Sequence, residues 1–170
     1  MTRRSHEEVL RLFRARRSVR VFRNENVRDP DLRAIVEAAA LAPTARNIQP
    51  WEFVVIRDKD RLKALAALVA PNGALLGGAA AGIVVFCRDT KYYLEDGSAA
   101  ITQALLAAAA LGLATCWIAG DKKDYADRVR GFCKGSADLK LIGLIALGYA
   151  AEDPAPAKRP VDEMIHEETF

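Results

Sequence analysis

Histidine and cysteine are scarce in this chain of 170 residues. The two histidines, His6 and His166, stand near opposite ends, and the three cysteines form no CxxC pair. A zinc site needs several such ligands close together, and a disulfide framework uses an even number of cysteines. We therefore expect no metal site and interpret the cysteines as buried thiols in a reducing cytoplasm. A Ser-His-Asp or Cys-His catalytic group is equally unsupported.

Long uninterrupted apolar segments are also missing. The chain is 51% hydrophobic and 28% charged, which is typical of a soluble globular domain. Residues 1–17 show no apolar run after their basic residues and do not resemble a secretory signal. Residues 99–119 have the length of a membrane span, but they are mostly alanine and are interrupted by Gly112. We expect a buried helix that ends at Gly112, then a strand at 113–118, and no membrane partner.

Positive charge is concentrated near the N-terminus. Residues 1–33 hold ten Arg and five acidic residues, although the net charge of the whole chain is only +3. A solvated basic face, a nucleic-acid-binding arm and a site for a compact anion are the three interpretations of this segment. No zinc-finger or helix-turn-helix pattern accompanies these arginines. We therefore expect no nucleic-acid partner.

Hydrophobic periodicity and turn residues divide the chain into alternating helices and strands. The predicted helices are 6–15, 30–41, 59–70, 92–111 and 122–133, and the predicted strands are 51–57, 82–87, 113–118 and 139–149. Ser5 and Glu8 form a predicted capping box, and Asp29 before Pro30 is the expected N-cap of the second helix. This alternation predicts three layers, with a sheet between helices.

No linker or internal repeat divides the chain, so we expect one domain over residues 1–170. The C-terminal tail, residues 150–170, contains three prolines early on and is too polar for the core. We expect one acidic helical turn at 162–168. The tail either frays or lies across a partner subunit.

Four segments carry residues suited to binding a ligand. Residues 16–20 and the Lys158-Arg159 pair supply donors for phosphate, although solvated surface segments look the same. The loop at 42–50 carries amides that suit a planar heterocycle, or simply ends a helix. Residues 112–120 read as a strand that ends in glycine, where a backbone can approach a ligand or merely turn.

Together these segments resemble the nitroreductase family in order and spacing. The motifs are RRSVR at 16–20, PTARNIQPWEFVVI at 43–56, GLATCWIAG at 112–120, GY at 148–149 and KRP at 158–160. The resemblance covers residues 10–165 and implies an α+β fold with a mixed, mostly antiparallel sheet flanked by helices. It also implies an intertwined homodimer with FMN sites at the subunit interface and tails that reach across to the partner.

The resemblance implies which residues bind FMN. Those assigned to the phosphate are Arg16, Arg17, Ser18, Lys158 and Arg159. Those assigned to the flavin pyrimidine are Arg20 and Asn72. Those assigned to the ring and the ribityl chain are Pro43, Thr44 and Asn47. Those that would pass beside the ring are Ile118, Ala119 and Gly120, and we expect a Cβ at Gly120 to intrude on it, unless Gly120 is a simple turn residue.

The implied reaction has two steps. NAD(P)H reduces FMN and leaves, and a small organic acceptor, such as a nitroaromatic or a quinone, then takes the electrons. The cofactor carries the chemistry, so no side chain is assigned as acid or base, and we interpret Asp96 as a helix N-cap. The alternatives are reductive dehalogenation or flavin destruction on the same fold, and a non-enzymatic flavin- or nucleic-acid-binding module.

This chain departs from the family pattern in three ways. Many relatives carry an acidic residue where Ala119 stands, so that polar contact is absent. The tail cation for the phosphate usually lies two residues before the proline, which favours Lys158 over Arg159. The chain also lacks a longer insertion between Asp89 and Tyr92, which implies a more open site.

Overall fold

The computed structural model of the chain describes residues 5–170. Its helices are α1 (His6–Ala15), α2 (Asp29–Ala40), α3 (Lys59–Leu68), α4 (Tyr93–Ala110) and α5 (Ala126–Phe132). Its strands are β1 (Trp51–Ile56), β2 (Ala81–Arg88), β3 (Ala114–Ala119) and β4 (Leu139–Gly148). Short 3-10 turns occupy Ala45–Asn47, Ala74–Gly78 and Val161–Glu163. Arg3 and Arg4 of the basic segment lie outside the described residues.

The four strands form an antiparallel sheet in the order β1-β2-β4-β3. The central strands β2 and β4 read as nearly continuous apolar runs because both of their faces are buried. The edge strand β3 is joined on its outer side by a parallel bridge between Ser18 and Thr115. The predicted mixed, mostly antiparallel sheet is confirmed.

Helices cover both faces of this sheet. Side chains alternate along a strand, so neighbouring residues of β4 face opposite layers. Ile145 lies in one apolar cluster with Ile101 of α4 and with residues of α2. Leu144 lies in a second cluster with Leu62 of α3 and with residues of α5. The predicted three-layer arrangement is therefore confirmed, with a separate apolar core on each side of the sheet.

The first helix begins as predicted, and the second does not. The Ser5 hydroxyl accepts the Glu8 N–H at 3.2 Å, and the Glu8 carboxylate accepts the Ser5 N–H at 2.7 Å, which completes the capping box. Asp29, by contrast, is the first residue of α2, and Arg28 is the N-cap. The Asp29 carboxylate pairs with Arg57 across the chain instead of capping its own helix.

Helix α5 and the tail turn are shorter than predicted. Residues 122–125 form turns, and Lys122 has a φ of 56°, which an α-helix does not tolerate, so α5 begins at Ala126. The acidic turn predicted at 162–168 is a 3-10 turn at Val161–Glu163. Helix α4 ends before Gly112, whose φ of +73° suits glycine at a helix C-terminus. Over residues 5–170, none of the helices is long and apolar enough to cross a membrane.

Candidate functional site

A cationic cleft lies where the N-terminal segment meets the C-terminal tail, and its volume is about 420 Å³. The residues that line it are Arg16, Arg17, Ser18, Arg20, Pro154, Ala155, Pro156 and Lys158. Helix α1 ends at Ala15, and the extended backbone at Arg16 starts the segment that bridges to β3. The cleft therefore gathers all the residues assigned to the phosphate except Arg159, together with Arg20.

Short antiparallel pairing holds the tail beside the N-terminal segment. The Ala151 N–H donates to the Val21 carbonyl oxygen at 2.9 Å. The Glu152 carboxylate then accepts the backbone N–H groups of Arg20 at 2.6 Å and Val21 at 3.2 Å. These bonds fix the chain just before Pro154 and so place the two cationic segments together. Sequence reasoning missed Glu152, because a single glutamate in a polar tail carries no distinguishing pattern.

The cations of the cleft are not neutralised by carboxylates of the described chain. Among residues 5–170, no Asp or Glu forms an ion pair with the lining arginines or with Lys158. The Arg17 guanidinium donates to the Arg16 carbonyl oxygen, and the Arg20 guanidinium to the Ser18 carbonyl oxygen, both at 3.2 Å. Unpaired cations beside a hydroxyl suit an anion such as phosphate.

The two tail cations differ in their surroundings. Lys158 lines the cleft. The Arg159 guanidinium lies 3.6 Å from the Glu163 carboxylate and donates to the Glu163 carbonyl oxygen at 2.6 Å. The charge of Arg159 is therefore directed along the tail, and the geometry favours Lys158 for a ligand in the cleft.

The thiols lie apart from this chemistry. Cys87 and Cys116 are buried and Cys133 is half-buried, and all three are free thiols. Burial raises the pKa of the Cys87 thiol to about 12. Burial also raises the pKa of Cys116, although the nearby Arg20 charge acts in the opposite direction. Thiols with raised pKa values stay protonated at neutral pH and are poor nucleophiles.

The loop after α2 is the second predicted part of the site. Thr44 precedes its 3-10 turn, and Pro43 and Asn47 are exposed. Arg46, Asn47 and Gln49 have φ values of 54°, 56° and 52°. Left-handed backbone is uncommon for residues that carry a side chain, and it persists where surrounding contacts enforce it.

Asp96 anchors this loop and does not cap its own helix. Helix α4 begins at Tyr93 with Tyr92 as its N-cap, so Asp96 lies inside the helix. Its buried carboxylate accepts the Thr44 hydroxyl at 2.9 Å and the Ala45 N–H at 3.1 Å. The interpretation of Asp96 as an N-cap is therefore wrong.

The end of β3 forms the third predicted part. Ala119 and Gly120 line a shallow depression of about 390 Å³. A Cβ at Gly120 would lie 2.6 Å from the Leu141 side chain and 2.8 Å from the Gly143 nitrogen, so β4 excludes it. The Gly120 N–H donates to the Ile142 carbonyl oxygen at 3.1 Å and is used inside the sheet. Packing within the chain accounts for glycine at this position.

Two tyrosines that the sequence reasoning missed brace this strand end. The Tyr125 hydroxyl donates to the Ala119 carbonyl oxygen. The Tyr93 hydroxyl donates to the Asp121 carboxylate at 2.9 Å, and this hydrogen bond raises the pKa of Tyr93. Both contacts cross between elements, so no local sequence pattern marks them.

The remaining predicted residues lie on the α3 side of the sheet. Ile118 is buried in the cluster that contains Leu62 and Leu65 of α3. Asn72 is exposed in the turn that follows α3. A single chain brings neither side chain into the cationic cleft, whose lining residues all come from the two terminal segments.

Helix α4 separates the loop from the cationic cleft. Asp96, near its start, contacts Thr44, whereas Ala109, near its end, lines a small pocket with Arg16. Thirteen helical positions correspond to roughly 20 Å along the axis. The loop also precedes β1, whereas the cleft adjoins β3 on the opposite edge of the sheet. One chain therefore holds the predicted site in separate pieces.

A larger groove of about 610 Å³ lies between α2 and β1. Its charged lining residues have both signs, and among them Asp29 and Arg57 form an ion pair with each other. None of the predicted binding residues lines it in the described chain. The volume of a groove therefore does not identify the candidate site in this chain, and the presence of unpaired cations is the better criterion.

The family comparison agrees with the fold. The family model described as Nitroreductase family matches residues 13–84 and 73–149. The chain belongs to the nitroreductase family, a family of oxidoreductases. An Archaeoglobus fulgidus protein provisionally named as an NADH dehydrogenase/NAD(P)H nitroreductase is 34% identical over 155 residues, which cover 86% of this chain and 88% of that protein.

Two solved structures show the same fold over nearly the whole chain. A Bacteroides thetaiotaomicron protein, also provisionally named as an NADH dehydrogenase/NAD(P)H nitroreductase, has a TM-score of 0.91 at 28% identity and covers 98% of this chain and 100% of its own. A provisionally named nitroreductase from Desulfovibrio desulfuricans, solved in complex with FMN, has a TM-score of 0.83 at 32% identity, with 98% and 99% covered. The predicted family and fold are confirmed.

Proposed function

We propose that this protein is an FMN-dependent oxidoreductase that uses NAD(P)H to reduce a small organic acceptor, such as a nitroaromatic or a quinone. The similar Desulfovibrio desulfuricans structure contains FMN, and the name of the Archaeoglobus fulgidus relative includes NAD(P)H. When bound, FMN supplies the redox chemistry, a two-electron transfer from NAD(P)H to the acceptor. The protein binds and orients the reactants.

The observation that carries this proposal is the free positive charge of the cationic cleft. Arg16, Arg17 and Lys158 converge on one cleft without an ion-pair partner among the described residues, and Ser18 adds a hydroxyl. Guanidinium groups bind phosphate oxygens through paired, charge-assisted hydrogen bonds. The residues present therefore fit the phosphate dianion of FMN.

The other predicted residues fit the flavin ring. Arg20 lines the same cleft and would place its charge at the pyrimidine edge, where the reduced flavin is richer in electrons. Pro43, Thr44 and Asn47 would line the ring and the ribityl chain from the loop. Ala119, which is exposed, would pass beside the ring.

We infer that the complete site requires two copies of the chain. The loop and the cationic cleft are separated on one chain, as the positions of Asp96 and Ala109 on α4 show. Single-chain surfaces also expose apolar side chains at both termini, including Phe13 and Ile165. A homodimer would cover such surfaces and bring a loop of one copy to the cleft of the other.

Anaerobic reduction of the purified protein tests the proposed function. We expect yellow protein that releases FMN on denaturation, loses its visible flavin absorbance on addition of NADH or NADPH, and regains it with a nitroaromatic or a quinone. Protein that neither contains nor binds FMN would contradict the proposal. Bound FMN that neither nucleotide reduces would identify a flavin carrier instead.

A further inference from the structure

Asp96 is a buried carboxylate with no cationic partner in the described chain. Its exposed fraction is 5%, and over residues 5–170 neither lysine nor arginine forms an ion pair with it. Removing a charge from water is costly unless hydrogen bonds replace the lost hydration. The side-chain hydrogen bonds of Asp96 come from the Thr44 hydroxyl and the Ala45 N–H. The buried Asp96 carboxylate is therefore hydrogen-bonded to one short segment that lies far from it in sequence.

That segment, residues 44–49, needs to be held in place. Arg46, Asn47 and Gln49 all have left-handed φ values between 52° and 56°, a conformation that L-residues with a side chain disfavour. The Thr44 hydroxyl oxygen also accepts the Gln49 N–H at 3.2 Å. A hydrogen-bond chain from Asp96 through Thr44 to Gln49 therefore clamps both ends of the strained segment.

We propose that Asp96 is a positioning residue for flavin binding, which holds residues 44–49 in the conformation that presents Asn47 to the flavin ring. This inference rests on the proposed function, because it assigns the flavin as the ligand of that segment. Asp96 acts only through Thr44 and Ala45 and does not touch the ligand itself. It serves the ring end of the cofactor, whereas the cationic cleft serves the phosphate end.

Matched substitutions separate the hydrogen bonds from the volume of the side chain. Asp96→Ala removes both acceptor bonds, and Thr44→Val removes the hydroxyl from the clamp. Asp96→Asn keeps an oxygen for the Ala45 N–H, and its amide donates to the Thr44 hydroxyl, which rotates to accept. Thr102→Ala on the same helix is the control, because the exposed Thr102 bonds only to the Ser98 carbonyl oxygen.

The experiment measures the dissociation constants of FMN and riboflavin, which share the ring but differ in the phosphate. We expect Asp96→Ala and Thr44→Val to weaken the binding of FMN and of riboflavin by the same factor, about tenfold or more. Asp96→Asn and Thr102→Ala should keep dissociation constants within about threefold of the wild type. The visible circular dichroism of the bound ring should change only in the first two variants. Arg16→Ala, in contrast, should weaken the binding of FMN and leave the dissociation constant of riboflavin unchanged.

The outcomes distinguish this inference from the proposed function. Wild-type protein with no affinity for either flavin overturns the proposed function and this inference with it. Wild-type protein that binds flavin, together with unchanged constants and dichroism in Asp96→Ala and Thr44→Val, overturns the inference alone. Equal loss in Asp96→Ala and Asp96→Asn, with lower apo-protein melting temperatures in both, assigns Asp96 to stability and also overturns it. Thr44→Val carries the test if Asp96→Ala does not fold, because Thr44 is only half-buried.

Discussion

Several unpaired cations converge on the cationic cleft. Exposed ion pairs elsewhere, such as Arg14 with Glu7, leave those cations partly neutralised. Arg16 and Lys158 have no such partner among residues 5–170, and the Glu152 carboxylate of the tail accepts backbone N–H groups instead. The cleft therefore keeps its charge available for a ligand.

Arg16→Ala should weaken FMN binding by about ten- to a hundredfold, because a charge-assisted hydrogen bond contributes about 1.5–3 kcal/mol. Quenching of flavin fluorescence on binding gives the dissociation constant. Arg128→Ala is the control, since Arg128 is exposed on α5 and should leave the constant unchanged. Unchanged FMN affinity in the Arg16→Ala protein would remove Arg16 from the phosphate site.

The two tail cations should behave differently on substitution. Lys158→Ala should weaken FMN binding by about tenfold, whereas Arg159→Ala should change it by less than about twofold, because Arg159 already pairs with Glu163. The same titration measures both. A larger effect from Arg159→Ala than from Lys158→Ala would show that the tail rearranges when the ligand binds.

Among the elements, strand β3 connects two of the three parts of the site. Its start bridges to Ser18 beside the cationic cleft, and its end continues into Gly120. β3 is an edge strand, and the segment that carries Ser18 and Val19 lies along its outer side, near the start of the strand. A strand of six residues spans about 20 Å, so it can support an extended ligand along its length.

Gly120→Ala should lower the free energy of unfolding of the apo protein by about 1–3 kcal/mol, because its Cβ would collide with Leu141 and Gly143. Thermal unfolding measures this, with a shift of about 2–4 °C per kcal/mol for a chain of this size. Gly131→Ala is the control, because open space surrounds that helical position and alanine should stabilise it. An apo protein that melts as the wild type does, but binds FMN less tightly, would restore the flavin ring as the reason for glycine at 120.

At the scale of the whole molecule, apolar surface remains uncovered at both ends of the chain. Helix α1 has no buried residue, and its apolar stripe of Val9, Leu10 and Phe13 is exposed by 42–52%. The tail beyond the cleft also exposes Ile165 and Phe170. Apolar surface of this kind, next to a divided site, supports an assembly in which both termini contact a second copy.

We expect a homodimer at micromolar concentration, with the tail of each copy against the other. Sedimentation equilibrium measures the mass directly. Deleting residues 161–170 should shift the equilibrium toward the monomer and lower FMN affinity together, because these residues carry the exposed Ile165 and Phe170 and follow closely after Lys158 of the cleft. A monomeric mass of the full chain with FMN bound would contradict the homodimer.

Sequence patterns predicted the elements well wherever one pattern dominated. The apolar runs of β2 and β4, the capping box at Ser5 and the helix end before Gly112 were all confirmed, because each depends on neighbours in the chain. Asp29 and Asp96 were assigned as caps for the same local reason, and both interpretations were wrong. Each carboxylate instead bonds to a distant segment, Asp29 to Arg57 and Asp96 to Thr44.

The sequence by itself determined the family, the order of the elements and the presence of residue types suited to binding an anion. Periodicity and motif spacing are local properties, so they can be read without coordinates. Only the tertiary structure decided which of these residues meet. Glu152 holds the tail so that Lys158 lies in one cleft with Arg16, Glu163 forms an ion pair with Arg159, and Asp96 anchors the loop. Glu152 and Asp96 bond to segments far away in the chain, and sequence spacing carries no information about those distances. The Arg159–Glu163 pair is close in sequence, but it depends on the conformation of the tail.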